Sequence, residues 1–221
     1  MHFSWVLKVI NNCLILGLLI NDSTMKKSYI IIGVILLVVF IIYRSITGTY
    51  NQMVTLDEGV TTSWSNVETQ YQRRADLIPN LVNTVKGYAA HEEEVLTGVT
   101  EARAKATSMT IDPSNLDASS IQQFQQVQGQ LSSALSRLLV TVERYPDLKA
   151  NQNFLELQAQ LEGTENRIAV SRDRFNQTVQ GYNTYIRTFP NTMFAGMFGF
   201  ERRSQFEASE GSENAPTVSF E

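Results

Sequence analysis

MVTLDEGVTTSWSNVETQYQRRADLIPNLVNTVKGYA, residues 53–89, decides the fold. Met53, Leu56, Val60, Trp64, Val67, Tyr71, Ala75, Ile78, Val82, Val85 and Ala89 succeed one another in helical steps, the spacing that gathers apolar side chains on one face of a helix. That stripe reads as the seam of a bundle. It crosses Pro79 without a change of phase, so the spacing predicts one helix of about forty residues, kinked at the proline. A break there, with Asp76 as a new N-cap and Pro79 in the first turn, is the alternative.

Three more helices follow by the same reasoning. After His91, Glu92 to Glu94 put acids in a first turn, where they suit the helix dipole, and Arg103 and Lys105 come near the other end. Asp112-Pro113-Ser114-Asn115 ends that helix. Asp117 or Ser119 caps a third, which carries Ile121, Phe124, Val127, Leu131, Leu135, Leu138 and Val142, and Tyr145-Pro146-Asp147 is its closing turn. The last carries Phe154, Leu157, Leu161, Ile168, Phe175, Val179, Tyr182, Ile186 and Phe189 until Pro190 stops it. The predicted fold is all-α: over residues 48–190, an antiparallel up-down four-helix bundle with long first and last helices. Only 12 Gly and 5 Pro in 221 residues agree with long helices around one core and with irregular structure confined to the ends. Residues 208–221 are a polar tail.

Upstream, Tyr29 to Tyr43 reads YIIIGVILLVVFIIY, without a charge. With its flanks it predicts a single transmembrane helix at about Ser28 to Ile46, within an anchor of residues 25–47. A cleaved signal peptide is the rival, but no small-x-small site follows Tyr43. Lys26 and Lys27 precede the run and Arg44 alone follows, a bias that places the N-terminus in the cytoplasm and the domain outside. Residues 1–24 are apolar but broken by Lys8, Asn11 and Asn12, and Met25-Lys26-Lys27 itself looks like a translation start. They read as an extension upstream of the true first residue or as a second membrane helix. Cys13, the one cysteine, lies there behind Asn12, which disfavours lipidation and leaves no disulfide framework.

The formal net charge is −4, and from Ser45 onward 14 basic residues face 21 acidic ones. Such a balance argues against a nucleic-acid partner. With His2 and His91 as the only histidines, neither paired Glu-x-x-His motifs nor a zinc-protease motif can be built, and no Gly-rich phosphate loop or Gly-x-Ser-x-Gly elbow occurs. No catalytic residue, metal or cofactor is assigned, and the domain reads as non-enzymatic. Glu156, Glu162 and Glu165, with Arg167, Arg172 and Arg174, invite an acid–base reading. Ion pairing with Arg73, Arg74 or Glu68, fixing the register between helices, is the reading preferred here. Trp64, Tyr71, Phe175 and Tyr182 read as core.

Residues 191–207 hold the candidate membrane interface: Phe194, Met197, Phe198 and Phe200, near Phe189 and Met193 and followed by Arg202 and Arg203. So many apolar residues together ask for a partner. The first domain helix climbs roughly 60 Å and the last descends as far, while the shorter second and third form only an upper return. Pro190 then comes back beside the bilayer, with the aromatic residues in the interface and the arginines at the headgroups. Packing at the bundle base or against a neighbouring subunit is the alternative.

LDEGVTTSWSNVETQYQRRADLIPNLVNTVKGYAAHEEEVLTGVTEARA (56–104), FLELQAQLEGTENRIAVSRDRFNQTVQGYNTYIRTFP (154–190), FAGMFGFERRSQFEA and PTVSF strongly resemble the LemA family of bacterial membrane proteins, from about Leu36 to Phe220. The resemblance implies an N-terminal membrane helix and an antiparallel bundle. It supplies no reaction and no catalytic residue. By analogy with a relative in magnetosome membranes and members beside membrane proteases, it implies a scaffold role. The long amphipathic bundle without convergent catalytic groups points to a second copy or another envelope protein as partner, and the aromatic segment to membrane lipid; an envelope enzyme using the last helix, or a peptide- or lipid-binding module, is the alternative. Residues 1–24 depart from the family pattern.

Overall fold

The computed structural model describes residues 25–113 and 116–207, with side chains from Ser28 onward. The expectations for residues 1–24, including Cys13, for Ser114-Asn115 and for the tail from 208 lie outside the described residues. Six helices stand among those described: α1 (Met25–Lys86), α2 (Glu93–Ser108), α3 (Ala118–Val142), α4 (Pro146–Lys149), α5 (Gln152–Arg187) and α6 (Asn191–Phe198). The chain divides into two compact units, Met1–Asn51 and Gln52–Glu221.

Within the first unit, every large apolar side chain from Tyr29 to Tyr43 is exposed, between 44% and 67%. This part of α1 is long and apolar enough to cross a membrane.

The second unit is built on the remainder of α1 and on α5. Gly59 of α1 faces Thr178 of α5 and Arg74 meets Glu165, so the two run in opposite directions, with Met53 level with the Ile186 end of α5. The seam expected from the sequence is buried at Met53, Val60, Trp64, Val67, Tyr71, Ala75, Ile78 and Val85, but Leu81 takes the place given to Val82, which is half-buried.

Pro79 lies inside a 62-residue helix. Proline has no N–H, so the carbonyl of Ala75, four residues back, loses its helical donor. Arg103 of α2 supplies one: its Nε donates to Ala75 O at 2.8 Å. That substitution lets α1 continue where the alternative expected a break.

Asp117 caps α3, its carboxylate accepting from Ser120 N at 2.7 Å, and Asn151 caps α5 by accepting from Phe154 N at 3.0 Å. Glu92, read as part of a helical first turn, is instead the residue before α2 and accepts from Arg144 at 3.0 Å and Tyr145 at 2.8 Å. The turn at Tyr145-Pro146-Asp147 is elaborated into α4. Phe189 leaves the seam and is 76% exposed, because α5 ends at Arg187.

Two apolar clusters make up the core. The proximal one, which begins at Met53, joins Val60, Trp64, Val67 and Tyr71 of α1 with Ile121 and Phe124 of α3, Phe175 to Ile186 of α5, Ala195 of α6, and Ile111, Leu116 and Phe206 from non-helical chain. The distal one joins Ile78 to Ala89 with α2, the rest of α3, Leu148 and the start of α5. Irregular chain is therefore not confined to the ends. Since α3 and its connection reach the proximal cluster, the second and third helices are more than an upper return.

Candidate functional site

Between the two clusters lies a polar layer centred on Arg74, 1% exposed. Its Nη1 donates to Glu165 Oε1 at 2.6 Å and Ser132 Oγ at 2.9 Å, and its Nη2 to Gln128 Oε1 at 2.6 Å. The guanidinium sits 5.0 Å from the centre of the Tyr71 ring, and its Nε has no hydrogen-bond partner. Gln128 in turn donates to Ala106 O of α2 at 3.4 Å. One cation thereby addresses α1, α3 and α5 directly and α2 through Gln128. Burying a cation costs several kcal/mol unless partners compensate; here a carboxylate 47% exposed, the Ser132 hydroxyl, and the side-chain and main-chain oxygens of Gln128 do so. Of the expected interhelical ion pairs, the one between Arg74 and Glu165 is present.

Of the other charges expected to converge, Arg172 comes beside the Tyr71 hydroxyl at the edge of the layer, while Glu156 and Glu162 do not join it. Glu162 and Glu156 accept from Gln158 and Gln160 of their own helix, and Arg172 stacks 4.6 Å from the centre of the Phe206 ring. An open groove of about 760 Å³ beside the layer is lined by Glu68, Tyr71, Asp76, Met109 and Gln128 among others. Burial lifts the Glu68 carboxyl above the usual glutamate range, opposed by the nearby Trp64 N–H. That N–H makes no hydrogen bond of normal geometry, so the opposition is weak.

The six candidate interface residues are divided by the structure. Phe194 and Phe200 pack against the proximal cluster. Arg203 is not directed outward: its guanidinium pairs with Asp57 at 3.0 Å and is 15% exposed, because a carboxylate one helix away offers a better partner than water. Met197 at 74%, Phe198 at 39% and Arg202 are exposed, joined by Phe189 and by Met193 at 63%. This knob lies on α6 and its approaches, at the Met53 end of the proximal cluster.

Residues 200–207 form a strap without helix or strand. Asn183 accepts from Arg203 N at 3.0 Å and donates to Arg203 O at 2.8 Å. Two turns back, Asn176 repeats the pattern on Phe206, at 2.9 and 3.0 Å. Ser204 N donates to Leu116 O at 3.1 Å, and Tyr182 OH to Glu201 O at 2.8 Å. Phe206 enters the core, stacking on Trp64 at 5.7 Å and meeting Phe175 edge-on at 5.4 Å. Sequence reasoning missed both the strap and the core position of Arg74. A strict three-four count from Tyr71 to Ile78 selects Arg74 as readily as Ala75, and that was the available signal.

Residues 63–220 match the LemA family. Magnetosome protein MamQ of Magnetospirillum gryphiswaldense is 28% identical over 79% of this chain and 70% of its own. Magnetosome protein MamQ 2 of Paramagnetospirillum magneticum is 26% identical over 80% and 71%. Protein LemA of Metamycoplasma hominis is 22% identical over 86% of both chains. With more than two thirds of its length matching that family, the chain belongs to the LemA family.

Proposed function

We propose that the chain is a membrane-anchored scaffold or interaction protein of the bacterial envelope with no catalytic role. One helix at about residues 28–46 spans the bilayer, and an antiparallel up-down four-helix bundle stands on the extracytoplasmic side. The observation that carries this reading is the uncovered apolar surface from Tyr29 to Tyr43. At a rise of about 1.5 Å per residue, nineteen helical residues cover nearly 30 Å, the thickness of the hydrocarbon core. In water so much apolar area would drive aggregation; in lipid it is at home. Lys26 and Lys27 before the run favour an inside N-terminus.

The knob supports a second contact with the membrane. Met53 follows Tyr43 by ten residues, which even fully extended reach no more than about 36 Å. Phe189, Met193, Met197 and Phe198 stand at the Met53 end of the bundle, where they dip into the lipid interface with Arg202 at the headgroups. The other partners are a second copy or another envelope protein. The enzymatic reading built on the last helix needs two close carboxylates in a cleft, whereas Glu156, Glu162 and Glu165 are spread along α5, each with its own partner.

The test uses the full chain in vesicles, with Cys13 changed to Ser and a polarity-sensitive thiol probe at Ile35→Cys, Met197→Cys or Val140→Cys. Spin-labelled lipid should quench the first strongly, the second partly and the third not at all. An unquenched Ile35 probe refutes the anchor; an unquenched Met197 probe refutes the knob alone. Digestion of the domain by protease added to intact cells is expected, and its protection overturns the orientation.

A further inference from the structure

The strap lies in a groove that is built to read an extended peptide. Asn176 and Asn183 are seven residues apart on α5, about 10.5 Å along the helix, and Arg203 and Phe206 are three apart, about 10 Å of extended chain. The spacings match, so each asparagine meets the N–H and C=O of one strap residue. Two side chains are read as well: Asp57 receives the Arg203 guanidinium, and Trp64 and Phe175, with Arg172 against the ring face, receive Phe206. Main-chain bonds combined with side-chain pockets are the general grammar of extended-peptide recognition, here with a three-residue step between the residues read. None of these contacts depends on the strap belonging to the same chain. The strap meets α6 at Gly199, whose φ of 76° is the one positive value among the described residues, so the joint is a glycine able to take other backbone angles.

We propose that this groove is a peptide site that also accepts the 200–207 strap of a second copy, so that neighbouring chains exchange straps reciprocally. The proposal rests on the reading of an anchored, self-associating protein. Exchange regains in trans the contacts of Arg203, Ser204 and Phe206 with the groove and gives up the bond from Phe200 N to Ala195 O across the Gly199 joint, which still makes it a low-cost route to a dimer. Confinement to a membrane raises the local concentration that decides the balance. A second copy is favoured over a foreign peptide on two grounds. Its Arg203 and Phe206 are already complementary to Asp57 and the ring cage. A foreign peptide would leave one strap displaced, whereas reciprocal exchange leaves no groove empty and no strap unbound.

The experiment mixes two differently tagged full-length chains in lipid vesicles. D57R in one chain sets two cations against each other in cis, and R203D in the other sets two anions. Both opposite-charge pairs return only when the straps cross between the two chains. Co-isolation of the tags from the D57R plus R203D mixture should exceed that from either variant mixed with itself by about tenfold, the ratio given by about 1.4 kcal/mol. A chain carrying both changes restores the pair in cis and serves as the folding control; it should pair with itself as the unsubstituted chain does. Equal co-isolation from mixed and self-mixed variants overturns strap exchange, while co-isolation of the unsubstituted chains in that case leaves self-association through another face standing. Absence of co-isolation among unsubstituted chains refutes self-association itself.

Discussion

The proximal and distal halves of the helical unit solve the same problem with different materials. The distal half is mostly aliphatic, Leu131, Leu135 and Leu138 against Ile78, Leu81 and Val85 with Phe154 as the one buried ring among its described residues, and helices α2 and α4 close it. The proximal half is aromatic, with Trp64, Tyr71, Phe124, Phe175 and Phe206 in mutual ring contact, and non-helical chain closes it through side-chain amides. Helix-closed packing comes from local periodicity, so most of its energy is area removed from water. Packing closed by irregular chain relies on a few long-range bonds, each of which must be made, because an unpaired buried polar group costs about 1–3 kcal/mol. The proximal half should therefore be the more easily opened of the two.

The largest test of that contrast is to end the chain after Gly199. Hydrogen exchange should then accelerate through the proximal parts of α1, α3 and α5 while α2 and the distal part of α3 stay protected; uniform loss of protection would show that the halves do not act separately. Phe206→Ala should destabilise by about 3–5 kcal/mol, the range for an emptied aromatic site, as read from denaturant unfolding. Between the halves, Arg74→Ala should cost about 2–4 kcal/mol and Arg74→Met clearly less, because a buried charge replaced by an apolar side chain of similar length removes the desolvation cost along with the pair. A methionine variant as unstable as the alanine one would contradict this account of the layer.

In the distal half, Arg103→Ala should cost about 1–2 kcal/mol by leaving Ala75 O without a donor. Adding Pro79→Ala returns an N–H to that carbonyl, so the double variant should recover most of the loss; additive single effects would disprove the compensation. The smallest effect is one of pH. Burial first, then the nearby Asp57 charge, push the Tyr182 hydroxyl up to about 12. Its folded pKa is raised above the ordinary 10, so between about pH 10 and 12 the unfolded chain releases this proton first and stability falls as pH rises. Tyr182→Phe should flatten that part of the stability profile while leaving its shape at neutral pH unchanged.

The distal half was almost wholly legible in the sequence. Ile78, Leu131, Leu135 and Leu138 announce a buried face by spacing alone, although the Asn151 cap and the short helix α4 were not read there. The proximal half was legible only in its helices. Arg74 occupies a seam position, but charge argues for the surface until its partners Gln128, Ser132 and Glu165 are brought together from two other helices. The strap carries no period at all: Arg203 and Phe206 are fixed by Asp57, Asn176 and Asn183, partners 20 to 146 positions away. The same nonlocality diverted Phe194, Phe200 and Arg203 from the outward surface assigned to them.

The donation from Arg103 to Ala75 bears on the order of assembly as the chain is made. Synthesis delivers residues 75 to 86 before residue 103 exists, so for that interval the Ala75 carbonyl has only water to satisfy it and the helix beyond Pro79 lacks one of its rungs. Its last two turns are consequently a late event, secured when α2 folds back and Arg103 docks. Conservative changes at Leu81 or Val85 should for this reason alter the rate of unfolding far more than the rate of folding, marking the end of the longest helix as the part of the distal half that closes last.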